Sequence, residues 1–561
     1  MRYILFFFIS FIFQISLTAN SVIDINEINE GDKGYGITVF KNNEAETFPI
    51  EVISIIKNFL PKQDLILIKM SGDTLNFTGI IAGMSGSPVY IKNKLAGAIA
   101  YGWSYAKEPL AGVTPIKNML ETLNFPTIKE KTEIKKNNKF FNNVNNNLKP
   151  IITPLIISGI NEHIVNKFLK LLKIENFLPV QSGGNNSSNT NLDKLKIFAG
   201  APISVILMEG DIDISAVGTI TYIDETNKKL IGFGHPFSNA GYIDFPIAPA
   251  TIHSVIARNN ISFKLSSNGK IIGRLFSDNQ SCISGLLDTF PELIKMNIKI
   301  NDLITETEKE FTYRLVNHKD YSLLLILLGY YQSINTYYTS DLVNVDIKTK
   351  IIYEKNKELN LKNKYAIENL DDYLNLIMPF YYLYFNDIKY PQINEINSEI
   401  SIENGYNKYF INRVALNKNT FSAGEEVQCI IRFKKDLSET YINKTISFIL
   451  PENLEDGFYN IFIAGGESIR IPYSQNIETF EQLITYINEI PANNILRVSV
   501  YLREKERIIS GQKYKFLPEK IDTIINDYNY PIKFQIKNFD FNFENVIAGQ
   551  KQLMIRIQNK R

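Results

Sequence analysis

Short apolar runs with polar interruptions set the rhythm of the first quarter of the chain. GYGITVF, ETFPIEVISII, DLILIKM and GIIAGMSGSPVYI, all between 33 and 125, have strand length and are divided by Gly, Pro, Asn and Asp, which predicts a strand-rich region. VYIKNKLAGAIAYGW then folds back at Lys92-Asn93-Lys94, and Pro115 opens a short helix over PIKNMLETL, where the missing N–H costs nothing. KEKTEIKKNNKFFNNVNNNLKP and GGNNSSNTN have too few apolar anchors to order themselves, so polar loops are expected at 130–149 and 181–192. Between them NEHIVNKFLKLLKIENFL repeats its apolar positions at three and four, the mark of an amphipathic helix.

Further on, ISAVGTITYIDETNKKLIGFGHPF alternates on both sides of DETNKK and predicts a β-hairpin that delivers His235 to the end of its second strand. Strand-like ISFKLSS and GKIIGRLF follow. SLLLILLGYYQSI and ENLDDYLNLIMPFYYLYF favour helices, so a helical region is expected over 311–405. VQCIIRF, KTISFIL, YNIFIAG and ILRVSVYL, with PIKFQIKNF and KQLMIRI near the end, predict an Ig-like β-sandwich with terminal strands over 406–561.

At the N-terminus a basic start, Met1-Arg2-Tyr3, precedes a mostly apolar Ile4 to Leu17 and the small residues Thr18 and Ala19. This reads as a signal peptide over 1–19, with a retained anchor as the competing reading, for which the run is short. The mature chain is therefore expected in the periplasm or outside the cell, in a bacterial-type envelope, with peripheral attachment to that envelope left open. With 561 residues several domains are expected. The 60 Lys and Arg nearly cancel the 59 Asp and Glu, so no global field recommends nucleic acid as a partner. Only Cys282 and Cys429 are available, in segments assigned to different domains; export permits their pairing without demanding it, and no Cys-ligated metal is expected. Trp103 is the only Trp, and no carboxylate pair suggests sugar chemistry. Phosphate-loop and zinc-helix motifs are missing from the sequence, so no cofactor is expected.

The stretch GMSGSP at 83–88 carries the candidate chemistry. Serine needs a base within reach and donors for the developing oxyanion. Gly83 and Gly86 free the backbone around Ser85 so that N–H groups, those of Gly83 and Ser85 among them, can share one small cavity. A plain glycine turn inside a barrel would be written the same way. Ser87, held extended by Pro88, should start the next strand with its hydroxyl bonded to a neighbour. Of four histidines, His163 and His318 read as surface residues and His253 as part of an element edge. His235, between Gly234 and Pro236 at a strand end, sits where a base can be held rigidly.

GIIAGMSGSPVYIKNKLAGAIAY resembles the serine segment of the SpoIVB peptidase family, and VGTITYIDETNKKLIGFGHPF resembles its histidine segment; KLSSNGKIIGRLFSDNQSCISG is similar to the tail of the latter. The resemblance covers roughly 65–125 and 205–290. It implies a chymotrypsin-like double β-barrel over 22–310, Ser85 as nucleophile, His235 as general base and a protein or peptide substrate. The family's segments run in the opposite order, a permutation a triad tolerates because geometry defines it. Asp73 is the nearest match to the family's acid, offset by a few residues, and Asp244 in GYIDFP competes with it. The expected fold is thus mainly β with helical insertions. The expected function is an exported serine endopeptidase, self-processing as an option, and the alternative is a non-catalytic envelope scaffold that keeps the fold.

Overall fold

The early apolar runs become one closed sheet. Its strands are β1 (Lys33–Val39), β2 (Ala45–Leu60) and β3 (Gln63–Met70), then β5 (Pro88–Ile91), β6 (Lys94–Gly102) and β7 (Leu110–Pro115), with helix α1 (Asp73–Thr78) and the two-residue β4 (Ile81–Ala82) lying between β3 and β5. Neighbours run β5-β1-β2-β3-β7-β6, and β6 pairs back onto β5, so six strands close a barrel. The β5–β6 turn places Lys92 and Asn93 at φ 52° and 58°, the left-handed pair that a two-residue hairpin requires. Alternation along the strands sends Val52, Ile66, Ile68, Val89, Ile99 and Val113 into one buried cluster. Each such side chain stabilises the fold by roughly 1.5–3 kcal/mol.

This computed structural model describes residues 22–103, 105–126, 148–183, 195–303, 305–336, 342–469, 477–509, 512–514 and 532–559. The expected signal segment and most of the two polar loops lie outside the described residues. The chain divides into two compact units, Met1–Ile157 with Asn176–Ile206 and Ser215–Pro291, and Ser158–Glu175 with Leu207–Ile214 and Glu292–Arg561.

Besides the barrel, the first unit holds α2 (Ile116–Leu120), which follows Pro115 as the sequence predicts, and β8 (Lys149–Pro150), which pairs with β6. A second, curled sheet uses β9 (Thr153–Ser158), β10 (Phe177–Gln181), β11 (Pro202–Gly210), β12 (Asp213–Asp224), β13 (Lys229–Gly232), β14 (Phe245–Ile256), β15 (Ser262–Asn268), β16 (Gly273–Asn279) and β17 (Cys282–Leu287). The hairpin expected around DETNKK is β12–β13, closed by Asp224 opposite Lys229. Strand β15 pairs with β14 and, in parallel, with β4, which ties it to the segment entering the GMSGSP turn.

In the second unit β18 (Ile294–Asp302), β19 (Thr307–Leu315), β20 (Val343–Tyr353), β21 (Lys357–Ile367) and β22 (Ile393–Asn404) form one run, in the order β19-β18-β22-β20-β21. Helices α3 (Glu162–Leu171) and α4 (Ser322–Asn335) belong to the same unit. The helical region expected over 311–405 is therefore corrected: it contains α4 and shorter helices but also three long strands. Val343–Tyr353 alternates buried and less buried residues along its whole length, a period of two that overrides local helical preference. Beyond 405, two sheets share a cluster that includes Val427, Ile431 and Phe433 from one and Ile461, Val498 and Ile555 from the other. The coarser expectation holds: strands and helices are mixed, one six-stranded barrel is closed and other sheets are curled. A clean double barrel followed by a sandwich is a finer description than this arrangement supports. Cys282 and Cys429 are both buried free thiols.

Candidate active site

The serine stretch leaves β4 and turns at once. Met84 donates its N–H to the Ile81 carbonyl (3.0 Å) and Ser87 its N–H to Met84 (2.9 Å), so Met84–Ser87 is a four-residue turn. Gly86, third in that turn, has φ +95°, the conformation a type II turn reserves for glycine. Its N–H goes to the Ile99 carbonyl of β6 (2.7 Å), and Ile99 N–H returns to the Ser87 carbonyl (3.0 Å). These bonds use the amides of Met84, Gly86 and Ser87, and none uses that of Gly83 or Ser85. A Cβ on Gly86 would run into the Thr219 carbonyl and the Phe233 amide, so glycine is demanded by contact as well as by φ.

Strand β12 grips this turn along its length. Thr219 N–H donates to the Ser85 carbonyl (2.8 Å), Thr219 Oγ1 to the Gly83 carbonyl (2.9 Å) and Thr221 Oγ1 to the Gly86 carbonyl (2.7 Å). The hairpin carrying the histidine is thereby bonded to the loop carrying the serine. Ser87 donates to Thr38 Oγ1 (3.0 Å) on β1. Ser85 is fully buried, and its Oγ has no hydrogen-bond partner among the described residues.

After β13 the backbone passes through two left-handed residues, Phe233 and Gly234, both at φ 67°, and so brings His235 back over β6. A Cβ on Gly234 would sit 3.0 Å from the Ile99 carbonyl oxygen and 3.1 and 3.3 Å from the Ala100 and Ala98 methyls. The residue before His235 and the residue after Ser85 therefore crowd one carbonyl. Thr114 Oγ1 fixes the Gly234 carbonyl from β7 (2.6 Å). His235 is 2 % exposed. Its Nδ1 lies 2.9 Å from the Pro236 carbonyl, which can only accept, so Nδ1 carries the proton and Nε2 the lone pair. Nε2 is buried without a partner among the described residues. Burial lowers the ring's pKa to about 4, against a smaller opposing contribution from the Pro236 bond.

The loop after His235 closes around a carboxylate that sequence reasoning missed. Asp278 Oδ1 accepts from Phe237 N–H (2.7 Å), while Oδ2 accepts from Ser238 N–H (2.7 Å), Ser238 Oγ (2.9 Å) and Ala240 N–H (3.0 Å). Burial pushes this carboxyl's pKa up and the four donors pull against it. Asp278 lies in the FSDNQ part of the segment already singled out for its resemblance, but nothing local marks it as the acceptor for a loop some forty residues earlier. Of the two acids considered from sequence, Asp73 opens α1 with an exposed side chain, and Asp244 pairs with Arg274 (2.8 Å). Neither is a hydrogen-bond partner of the His235 ring, whose orientation comes from a main-chain carbonyl. A second missed residue is Lys264 on β15, fully buried, with its stem against Gly83 and its Nζ donating to Thr38 Oγ1 (2.8 Å).

The turn thus presents an unpartnered serine hydroxyl and the loop after β13 an unpartnered imidazole nitrogen, and these two atoms are not hydrogen-bonded to each other. Residues 13–120 match the SpoIVB peptidase S55 family model, about a fifth of the chain. The matched segment includes Asp73, Gly83 and Ser85 but stops before His235. No curated protein and no solved structure matches the chain.

Proposed function

We propose that the chain is a serine endopeptidase that works outside the cytoplasm on protein substrates, with Ser85 as nucleophile and His235 as general base. The observation that carries this is the pair of buried, unpartnered atoms, Ser85 Oγ and His235 Nε2, on loops that both approach the Ile99 carbonyl. In this mechanism Oγ attacks the scissile carbonyl carbon as its proton passes to Nε2, and the carbonyl π electrons move onto oxygen. The amides of Gly83 and Ser85 receive that oxyanion. Collapse breaks the C–N bond, with Nε2–H protonating the departing amine, and water activated by Nε2 then releases the acid. The Pro236 carbonyl does the orienting usually given to an aspartate, and Asp73 and Asp244 remain the acids that a substrate-bound arrangement would recruit. The match over 13–120 supports the class, and the permuted order of the histidine segment is part of the proposal. On this reading the C-terminal sheets act as an Ig-like module that presents substrates or docks a partner.

Complete burial of both side chains means that the loops must part before a substrate can enter, so acylation follows a conformational step. The same burial favours the second reading, a scaffold that keeps the turn for its packing. Labelling of the folded chain by a fluorophosphonate separates the two. Ser85→Ala should abolish labelling while shifting Tm little, and Ser87→Ala should keep the label and lower stability. A folded wild-type chain that takes no label overturns the peptidase reading, and loss of label in Ser87→Ala alone overturns the choice of nucleophile.

A further inference from the structure

Lys264 is an ionisable amine in a place where no described residue offers it a counter-charge. Its side chain is fully buried on β15, with Nζ on Thr38 Oγ1 and no acidic partner among the described residues. The titratable residues on the strands around it are few. β14 carries only His253, exposed and bonded to Ser267 Oγ (2.7 Å); β4 carries none; β1 carries Lys33 and Tyr35, several residues before Thr38. A buried ammonium with one acceptor leaves two N–H bonds unpaired, which strongly favours the neutral amine. In that form the chain of bonds can run Ser87 O–H to Thr38 Oγ1 and Thr38 O–H to the lone pair on Nζ.

The contacts of this one side chain reach both ends of the serine turn. Its Cβ, Cγ and Cδ lie 3.3–3.4 Å from where a Cβ on Gly83 would be, and its Nζ reaches Ser87 through Thr38. We propose that Lys264, as an uncharged amine, is a positioning residue of the serine site that fixes the turn at Gly83 by its stem and at Ser87 through Thr38, and that protonation loosens this hold. The proposal rests on the reading of Ser85 as nucleophile for its effect on labelling, but not for its effect on the turn itself.

Burial lowers the Lys264 pKa to about 7, whereas that of His235 falls to about 4, so the two groups would switch a reaction off at well-separated pH values. With the full chain, the rate of fluorophosphonate labelling should fall about tenfold per pH unit below an acid limb near 7, in proportion to the neutral fraction. Lys264→Met keeps the stem and removes the charge, and it should move that limb downward by at least one unit. Thr38→Val cuts the link to Ser87, and it should lower the rate without restoring labelling at acid pH. Amide-exchange protection of Met84, Gly86 and Ser87 over the same range provides a readout that needs no nucleophile. Protection should drop between pH 7.5 and 6 in the wild type and stay constant in Lys264→Met. Should wild type and Lys264→Met share one protection profile across that range, the proposal is overturned, whatever the label shows. If protection behaves as expected while no label is taken, the positioning role stands and the peptidase reading falls.

Discussion

Replacing Asp278 by Asn tests whether one carboxylate organises the histidine loop. The substitution keeps the shape and removes one acceptor. With its single oxygen turned towards Ser238 and Ala240, the amide keeps three donors and turns its NH2 against Phe237 N–H, which had bonded Oδ1 at 2.7 Å. An orphaned buried N–H costs roughly 1–3 kcal/mol, and bonds to a charged acceptor are worth about 1.5–3 kcal/mol against about 1 for neutral ones. Relief of the buried charge offsets the weaker bonding to a neutral acceptor, because burial outweighs the four donors and leaves the Asp278 carboxyl's pKa raised. The orphaned Phe237 N–H remains, a destabilisation of about 2 kcal/mol. In a unit of this size that lowers Tm by roughly 4–8 °C. Because the displaced amides follow His235 directly in the chain, the fluorophosphonate rate should fall at least about tenfold as well. Thermal unfolding and labelling of Asp278→Asn beside Asp278→Ala, which loses all four bonds, make the assay. A Tm within about 1 °C of wild type with an unchanged labelling rate would refute the assignment of Asp278 as the loop's anchor.

Two further outcomes follow from the same geometry. Gly86→Ala adds left-handed strain of about 1–2 kcal/mol and a collision with the Thr219 and Phe233 backbone, whereas Gly31→Ala, at φ +81° with nothing nearby, adds the strain alone. Urea unfolding should show Gly86→Ala to be the more damaging by at least about 2 kcal/mol, and equal midpoints would contradict the close approach. His235 is held near a pKa of about 4 when folded, against 6.5 for the free group. Its contribution is complete above pH 6.5 and is lost as pH falls towards 4, because the unfolded chain takes up the proton first; the loss is about 3 kcal/mol. Unfolding at pH 7, 6 and 5 should show this slope in the wild type and a shallower one in His235→Gln. Parallel slopes would mean that the ring is not desolvated.

Legibility in the sequence followed the range of the interactions. The GMSGSP turn and the β12–β13 hairpin are local events, written by glycine, proline and alternation, and those marks suffice to locate both elements. Asp278 and Lys264 both lie in the segment KLSSNGKIIGRLFSDNQSCISG, yet nothing local marks either as a site residue, because their partners lie 38 or more residues away. Lys264 is also disguised by the inverted polarity of β15, where Lys264 and Ser266 are buried and Leu265 is partly exposed. A reader of ISFKLSS assigns the leucine to the core and the lysine to solvent. The strand at Val343–Tyr353 is legible from its period of two, whereas the long apolar helix before it favours a helical reading of the whole stretch.

The small residues of β6 have a consequence for how such a chain would lose or keep its chemistry. Ala98 and Ala100 point their methyls at Gly234, whereas Ile99 between them turns its side chain into the core and its carbonyl towards the two loops. Neither alanine carries a nucleophile, base or donor, yet their methyls limit how closely Gly234 can approach the strand. A valine at either alanine would crowd Gly234 and displace the loop that carries His235, although the sequence would still contain both Ser85 and His235.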